Sequence, residues 1–140
     1  MNHFELFAHG ESFDVDAYVA SSPLRFDLVW HGGDGCYQTS GVSITLGDGA
    51  TIGVFEQERL AREFLCTNRE VLRELGSYPG VETFILGLHY QAELTGGTSG
   101  FCLGPPPGLM SHCLDIGIRP VYYVVVDRKQ EWEAAVSSGG

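Results

Sequence analysis

The stretch EQERLAREFLCTNREVLREL, residues 56–75, constrains the fold of this chain more than any other. Its apolar residues fall on one continuous arc of a helical wheel, and its charged residues fall outside that arc. The arc contains Leu60, Ala61, Phe64, Leu65, Val71, Leu72 and Leu75. A helix of this kind buries its apolar side against another layer of structure. The stretch therefore predicts a long amphipathic helix that covers a sheet.

Asn68 lies in the middle of the apolar arc and leaves two interpretations open. Asn68 could be buried and hydrogen-bonded inside a continuous or kinked helix. Alternatively, Thr67 and Glu70 could form a capping box that divides the stretch into two helices. The apolar pattern keeps the same phase on both sides of Asn68, which favours the continuous or kinked helix.

The rest of the chain reads as short strands and two further helices. Alternating or continuous apolar residues predict strands at 3–9, 24–31, 42–46, 51–55, 81–90, 101–103 and 121–126. The strands at 81–90 and 121–126 are expected in the interior of the sheet, because both of their faces are apolar. A turn at 47–49 would join the strands at 42–46 and 51–55 into a hairpin. Ser12 or Asp14 can cap a helix that ends near Ala20, and prolines introduce a helix at about 107–116. We expect one α+β domain over residues 1–136, with a mostly antiparallel sheet and the helices at about 56–75 and 107–116 packed on one face. Residues 137–140 are expected to be a frayed tail.

The charge of the chain is strongly acidic and unevenly distributed. Eighteen acidic residues face eight basic ones, for a net charge of -10, which disfavours nucleic acid as a partner because phosphate binding needs clustered basic residues. The helix at 56–75 is nearly neutral, whereas seven acids in the first fifty residues are opposed only by Arg25: Glu5, Glu11, Asp14, Asp16, Asp27, Asp34 and Asp48. This surface could serve solubility alone, or it could dock a basic protein.

The longest apolar run, at 121–126, is far shorter than the roughly 18 residues that a membrane span requires. The first residues also lack a basic start followed by an apolar segment. Cys36, Cys66, Cys102 and Cys113 show no C-x-x-C pairing. We therefore expect a cytoplasmic protein with free thiols and no membrane partner.

Candidate chemical groups lie in and around two glycine-rich loops, which follow His31 and span residues 96–100. Cys36 could act as a nucleophile with His31 as its base, but no acid partner or oxyanion donor is apparent. The first loop lacks the lysine and the glycine spacing of nucleotide-binding loops, and we expect no cofactor. The weak catalytic candidates, around a pocket between the two loops, are His31, Asp34, Cys36 and His89.

Metal binding is not predicted from the sequence. His9, His89, Cys102, His112 and Cys113 could gather around an ion, but they lack the paired ligands at short spacing that mark strong zinc sites. Cys113 falls on the apolar side of its helix and is expected to be a buried small hydrophobe.

Several segments resemble a bacterial family known as domain of unknown function 4279 (DUF4279). The likeness covers most of the chain and runs through REVLRELGSYPGVETFILGLHYQ and GGTSGFCLGPPPGLMSHCLDIGIRPVYYVVV, with FDVD at 13–16 and WHGGD at 30–34 upstream. The triple proline at 105–107 and Arg119-Pro120 depart from the family pattern. The resemblance implies the architecture described above and supplies no catalytic residues. Small acidic bacterial domains of this kind resemble immunity proteins that neutralise a toxin.

Three functions remain as hypotheses. The first is a non-enzymatic acidic protein-binding module, an immunity- or antitoxin-like protein for a basic partner, whose contact residues would be Glu11, Asp14, Asp16, Asp34 and Asp48. The second is a small enzyme or ligand-binding protein that uses the pocket between the glycine-rich loops. The third is a structural or homo-oligomeric subunit that pairs through a sheet edge.

Overall fold

The computed structural model describes residues 3–48, 54–93 and 107–127. In chain order its elements are β1 (His3–Gly10), α1 (Val15–Ser21), β2 (Leu28–Trp30), β3 (Ser40–Asp48), α2 (Val54–Thr67), α3 (Arg69–Gly76), β4 (Thr83–Glu93), α4 (Pro107–Ile116) and β5 (Arg119–Asp127). The predicted α+β fold is confirmed. Among the described residues, no helix combines the length and apolar character that crossing a membrane requires.

The five described strands form one sheet in the order β2-β3-β1-β4-β5. β1 pairs antiparallel with β3 and β4, and β2 pairs antiparallel with β3, so the sheet is mostly antiparallel as predicted. β5 runs parallel to β4 because the chain returns through α4 before it re-enters the sheet. β4 is interior, as expected. β5 lies at an edge of the sheet formed by the described strands, whereas the apolar run at 121–126 had predicted a central position.

The hydrophobic core lies on one side of this sheet, between the strands and the four helices that the structure describes. Alternate residues of β1, β3 and β4 point into it: Phe4, Leu6, Ala8, Val42, Ile44, Leu46, Phe84, Leu86, Leu88 and Tyr90. The helices contribute Val15, Tyr18, Ala61, Leu65, Leu72, Leu75, Leu109, Cys113 and Ile116 to the same cluster. The predicted packing of the helices on one face, and the predicted burial of Cys113, are therefore confirmed.

The long amphipathic stretch is divided at Asn68 into α2 and α3. Hydrogen bonds of helical spacing continue across the division, because the Asn68 N–H donates to the Phe64 carbonyl and the Leu72 N–H donates to the Asn68 carbonyl. The Asn68 side chain also donates to the Phe64 carbonyl, at 2.9 Å, and makes no capping bond to α3. Competition of this side chain for the carbonyl accounts for the local departure from helical geometry.

Other boundaries differ from those predicted. β2 pairs over three residues only, and the preceding Leu24 and Phe26 pack partly against the core. Val54 and Phe55 begin α2 and do not form a strand. Asp14, one of the two expected caps, accepts a hydrogen bond from the Ala17 N–H at the start of α1. The rest of the predicted hairpin at 49–53, the loop at 96–100, the strand at 101–103, Cys102 and the tail at 137–140 lie outside the described residues.

Candidate functional site

The face of the sheet opposite the core, which we call the open face, carries the polar and aromatic side chains of the strands. Since side chains alternate along a strand, the residues between those of the core point to this side. They include His3, Glu5, Phe7, His9, Trp30, Ile85, His89 and Tyr123. Two groups on or beside this face combine chemically useful side chains, one at each end of β1.

The first group, the acidic corner, consists of Asp16, His31 and Asp34. His31 directly follows β2, and its Nε2 lies 2.8 Å from Oδ1 of Asp16 in the first turn of α1. Its Nδ1 lies 3.9 Å from Oδ2 of Asp34, in the loop between β2 and β3. Both carboxylate side chains are 77% exposed. The fold therefore presents two carboxylates from separate segments to solvent around one imidazole.

The charge of these carboxylates affects His31. Its pKa is raised above the ordinary value, first by the hydrogen bond and charge of Asp16 and then by the charge of Asp34. Among the described residues, the ion-pair partner of both Asp16 and Asp34 is His31. The carboxylates are therefore neutralised only in part, and only when His31 is protonated.

A row of aromatic rings, the aromatic strip, begins beside the acidic corner and crosses the open face. The Tyr37 ring stacks on Trp30 with centroids 5.9 Å apart, Trp30 lies 6.2 Å from the His9 ring, and His9 stacks on Phe7. A methyl group at Gly41 would lie 2.2 Å from the Trp30 ring, so the glycine lets the indole lie flat on the strand. Tyr37 is 44% exposed. Because Trp30 directly precedes His31 and the Tyr37 N–H donates to the Asp34 carbonyl, the aromatic strip begins next to the acidic corner.

The second group, the histidine cluster, consists of His3, Glu5 and His89 at the other end of β1. His3 stands opposite His89 in the sheet, and their rings stack with centroids 4.2 Å apart. Oε2 of Glu5 lies 4.0 Å from Nε2 of His3 and 3.9 Å from Nε2 of His89. Burial and the nearby His3 lower the pKa of His89, against the opposing effect of Glu5. The three side chains form the one group of possible metal ligands found among the described residues.

The structure brings together only some of the residues predicted as sites. His31 and Asp34 are neighbours, and Cys36 is exposed in the same loop. His89 is not near them. It stands opposite His3, whereas Trp30, which precedes His31, is level with His9 across β3, and the six residues from His3 to His9 span about 20 Å of strand. Of the metal candidates, His9 lies at the opposite end of β1 from the position of His89. Cys113 is buried, and this burial raises the pKa of its thiol to about 11. The second glycine-rich loop is outside the described residues.

The predicted partner-binding acids also separate into different places. Asp16 and Asp34 meet at the acidic corner. Asp14 caps α1, and Glu11 is exposed after β1, where its N–H donates to Glu82. Asp48, the last residue of β3, stands opposite His3 at the far end of the sheet.

Sequence reasoning missed the histidine cluster as a unit. The H-x-E spacing of His3 and Glu5 on an alternating strand places both side chains on one face, and this signal was available. The third member was not, because only the register between β1 and β4 places His89 beside them.

A cleft of about 500 Å³ lies where β4 and β5 begin, next to the end of α3. Its charged lining residues are Glu82 and Arg119, and none of the four catalytic candidates contributes to it. The cleft therefore does not join the candidate groups into an active site.

Comparison with protein-family models, with curated proteins and with solved structures found no match to this chain. The functional interpretation rests on the geometry of the described residues.

Proposed function

We propose that this protein is a non-enzymatic binding module that holds a basic protein through its acidic corner and aromatic strip, in the manner of an immunity protein that neutralises a toxin. One observation carries the proposal: Asp16 and Asp34, from separate segments, converge on exposed His31 beside the Trp30 and Tyr37 rings. The bacterial family resemblance remains a prediction that agrees with this proposal and adds no residues to it.

The distribution of ion pairs supports a basic partner. On the helices, Arg59 pairs with Glu56 and Glu63, and both Arg69 and Arg73 pair with Asp115. The acids of α2, α3 and α4 are thus largely compensated within the protein. Among the described residues, the acids of the acidic corner pair with His31 and not with an arginine, so their field is available to a cationic surface and would accelerate the encounter with it.

The aromatic strip supplies the apolar contact area that charged groups alone do not provide. Exposed charges give modest affinity, because water and salt screen them, whereas buried aromatic side chains dominate the energy of most interfaces. Tyr37 and the neighbouring Leu28 are both more than 40% exposed, and Trp30 is held flat between Tyr37 and His9. A partner that covers this strip would bury apolar area while its lysines or arginines reach Asp16 and Asp34.

Catalysis at the same place is not supported by the geometry. A cysteine nucleophile needs a base within hydrogen-bonding reach, and the two nitrogens of His31 face Asp16 and Asp34. His89, the fourth catalytic candidate, belongs to the histidine cluster at the other end of β1. We therefore do not propose an enzymatic function.

The test uses the purified products of the genes adjacent to the gene for this protein as probes. Calorimetric titration at low and high ionic strength should find one product that binds, with affinity that falls as salt rises. The double variant Asp16→Asn/Asp34→Asn should bind it at least about tenfold more weakly, equivalent to about 1.4 kcal/mol. The matched control, Glu63→Gln/Glu70→Gln, removes two charges from the helical layer and should change affinity less than about twofold.

Two results would contradict the proposal. The first is that no adjacent-gene product binds even at low ionic strength. The second is that the control variant loses as much affinity as the acidic-corner variant, because net charge alone would then account for the binding.

A further inference from the structure

We propose that the histidine cluster is a binding site for a divalent transition-metal ion of the zinc type, separate from the protein-binding surface. Two imidazoles and a carboxylate, from His3, His89 and Glu5, offer three ligand atoms that all lie within 4.8 Å of one another. This donor set is one that zinc accepts in sites with three protein ligands and one open position.

The backbone places these ligands on one side of the sheet. His3 and Glu5 are two residues apart on β1, so their side chains share the open face. In the register of β1 and β4, His3 stands opposite His89 and Glu5 stands opposite Gly87. A methyl group at Gly87 would lie 3.1 Å from Nε2 of His89. The absence of a side chain there leaves room for the His89 ring to extend over Gly87 towards Glu5.

His89 is the ligand whose environment most requires an explanation. Its Nε2 is buried and has no hydrogen-bond partner among the described residues. A buried polar nitrogen is normally hydrogen-bonded or bound to an ion. Tyr123 stacks on His89 with centroids 4.6 Å apart, on the neighbouring strand, and restricts the rotation of the ring. A metal ion bound to Nε2 of His89 would take the place of the missing hydrogen bond without moving the ring.

The separations are close to those of a coordinated ion. Zinc lies about 2.0–2.2 Å from imidazole nitrogens and carboxylate oxygens, so tetrahedral ligand atoms are roughly 3.3 Å apart. The distances of 3.9 and 4.0 Å from Glu5 to His89 and His3 exceed this by about 0.6 and 0.7 Å. The His3 side chain is 36% exposed, so its ring has room to rotate and bring its Nε2 closer to Oε2 of Glu5. The fourth position would face the open side of the sheet and accept water.

The test is a calorimetric titration of the untagged, chelator-treated protein with Zn²⁺. We expect one ion to bind per chain. His3→Ala, Glu5→Gln and His89→Phe should each weaken the binding at least tenfold, whereas His112→Ala, on α4, should bind as the wild type does. In proton spectra, Zn²⁺ should shift the ring resonances of His3 and His89 and leave those of His9 unchanged.

His89→Phe keeps an aromatic ring between His3 and Tyr123, and Glu5→Gln keeps the side-chain shape, so both variants are expected to fold. A wild-type protein that binds no Zn²⁺ would overturn the assignment, and so would wild-type affinity in all three cluster variants. Binding of the basic partner is not expected to depend on these residues, so failure here leaves the proposed function to its own test.

Discussion

The two faces of the sheet differ in what their side chains contact. On the core face, alternate residues of β1, β3 and β4 meet apolar side chains from four helices, and Phe4, Leu6, Leu86 and Leu88 have no exposed surface. On the open face, the same strands carry histidines, a glutamate and partly exposed aromatic rings, and glycines at 41 and 87 make room for ring systems. Residues that contribute little to packing yet are specifically placed are candidates for binding. The core face therefore supplies most of the packing that stabilises the fold, and the open face, where Ile85 and Ser43 are nevertheless buried, carries the candidate binding groups.

The largest expected effect is at the core face. Leu72→Asp would bury a carboxylate at a position with no exposed surface, and the free energy of unfolding should fall by on the order of 4 kcal/mol or more, enough to unfold much of the domain. Thermal unfolding followed by circular dichroism measures this. Leu114→Asp is the matched control, because Leu114 is 81% exposed on α4 and its replacement should leave the melting temperature nearly unchanged. A melting temperature unaffected by Leu72→Asp would contradict the assignment.

Smaller losses of unfolding free energy are expected when either of two phenylalanines on β1 is replaced by alanine. Phe4 points into the core and Phe7 points to the open face, where it is only partly buried. Phe4→Ala should cost about 3–5 kcal/mol of unfolding free energy. Phe7→Ala should cost about 1–2 kcal/mol, in proportion to the smaller area that it buries. Urea denaturation measures both values, and equal losses would show that the open face is packed as the core is.

The smallest effect concerns protonation at the acidic corner. Since the pKa of His31 is raised above 6.5, its pairing with Asp16 stabilises the fold fully below that pH, and the contribution is lost as pH rises through the folded-state pKa. Titration of the His31 ring by NMR should give a pKa above 6.5. Asp16→Asn should lower it more than Asp34→Asn, because only Asp16 accepts a hydrogen bond from the ring. The reverse order would contradict the geometry.

Local patterns predicted much of the fold. The 3.6-residue periodicity of 56–75 identified Leu65, Leu72 and Leu75 as buried, although Leu60 of the same arc is 37% exposed. The prolines before α4 identified the start of that helix, and Gly117 identified its end. The division at Asn68 was the less favoured interpretation, because the apolar pattern keeps the same phase on both sides of it. The hydrogen bond from the Asn68 side chain to the Phe64 carbonyl does not affect that pattern, so the sequence could not reveal it.

Features that depend on the pairing of distant segments were not predicted. The valine-rich run of β5 resembles a central strand in composition, but the return through α4 places it beside β4 at the edge of the described sheet. The acidic corner was predicted in part, as acids of the first fifty residues, although His31 was considered as a catalytic base. The histidine cluster depends on a register between β1 and β4 that no local signal specifies.

The central claim is that the polar ring groups of the open face are placed for binding and contribute less to folding than the side chains of the core face. The most direct measurement is the free energy of unfolding of His89→Phe in chelator-treated buffer. This substitution keeps a ring stacked on Tyr123 and removes a buried nitrogen without a hydrogen-bond partner, a feature that costs about 1–3 kcal/mol. The account predicts a stability equal to or above that of the wild type. A loss of about 2 kcal/mol or more, comparable to a core substitution, would contradict it.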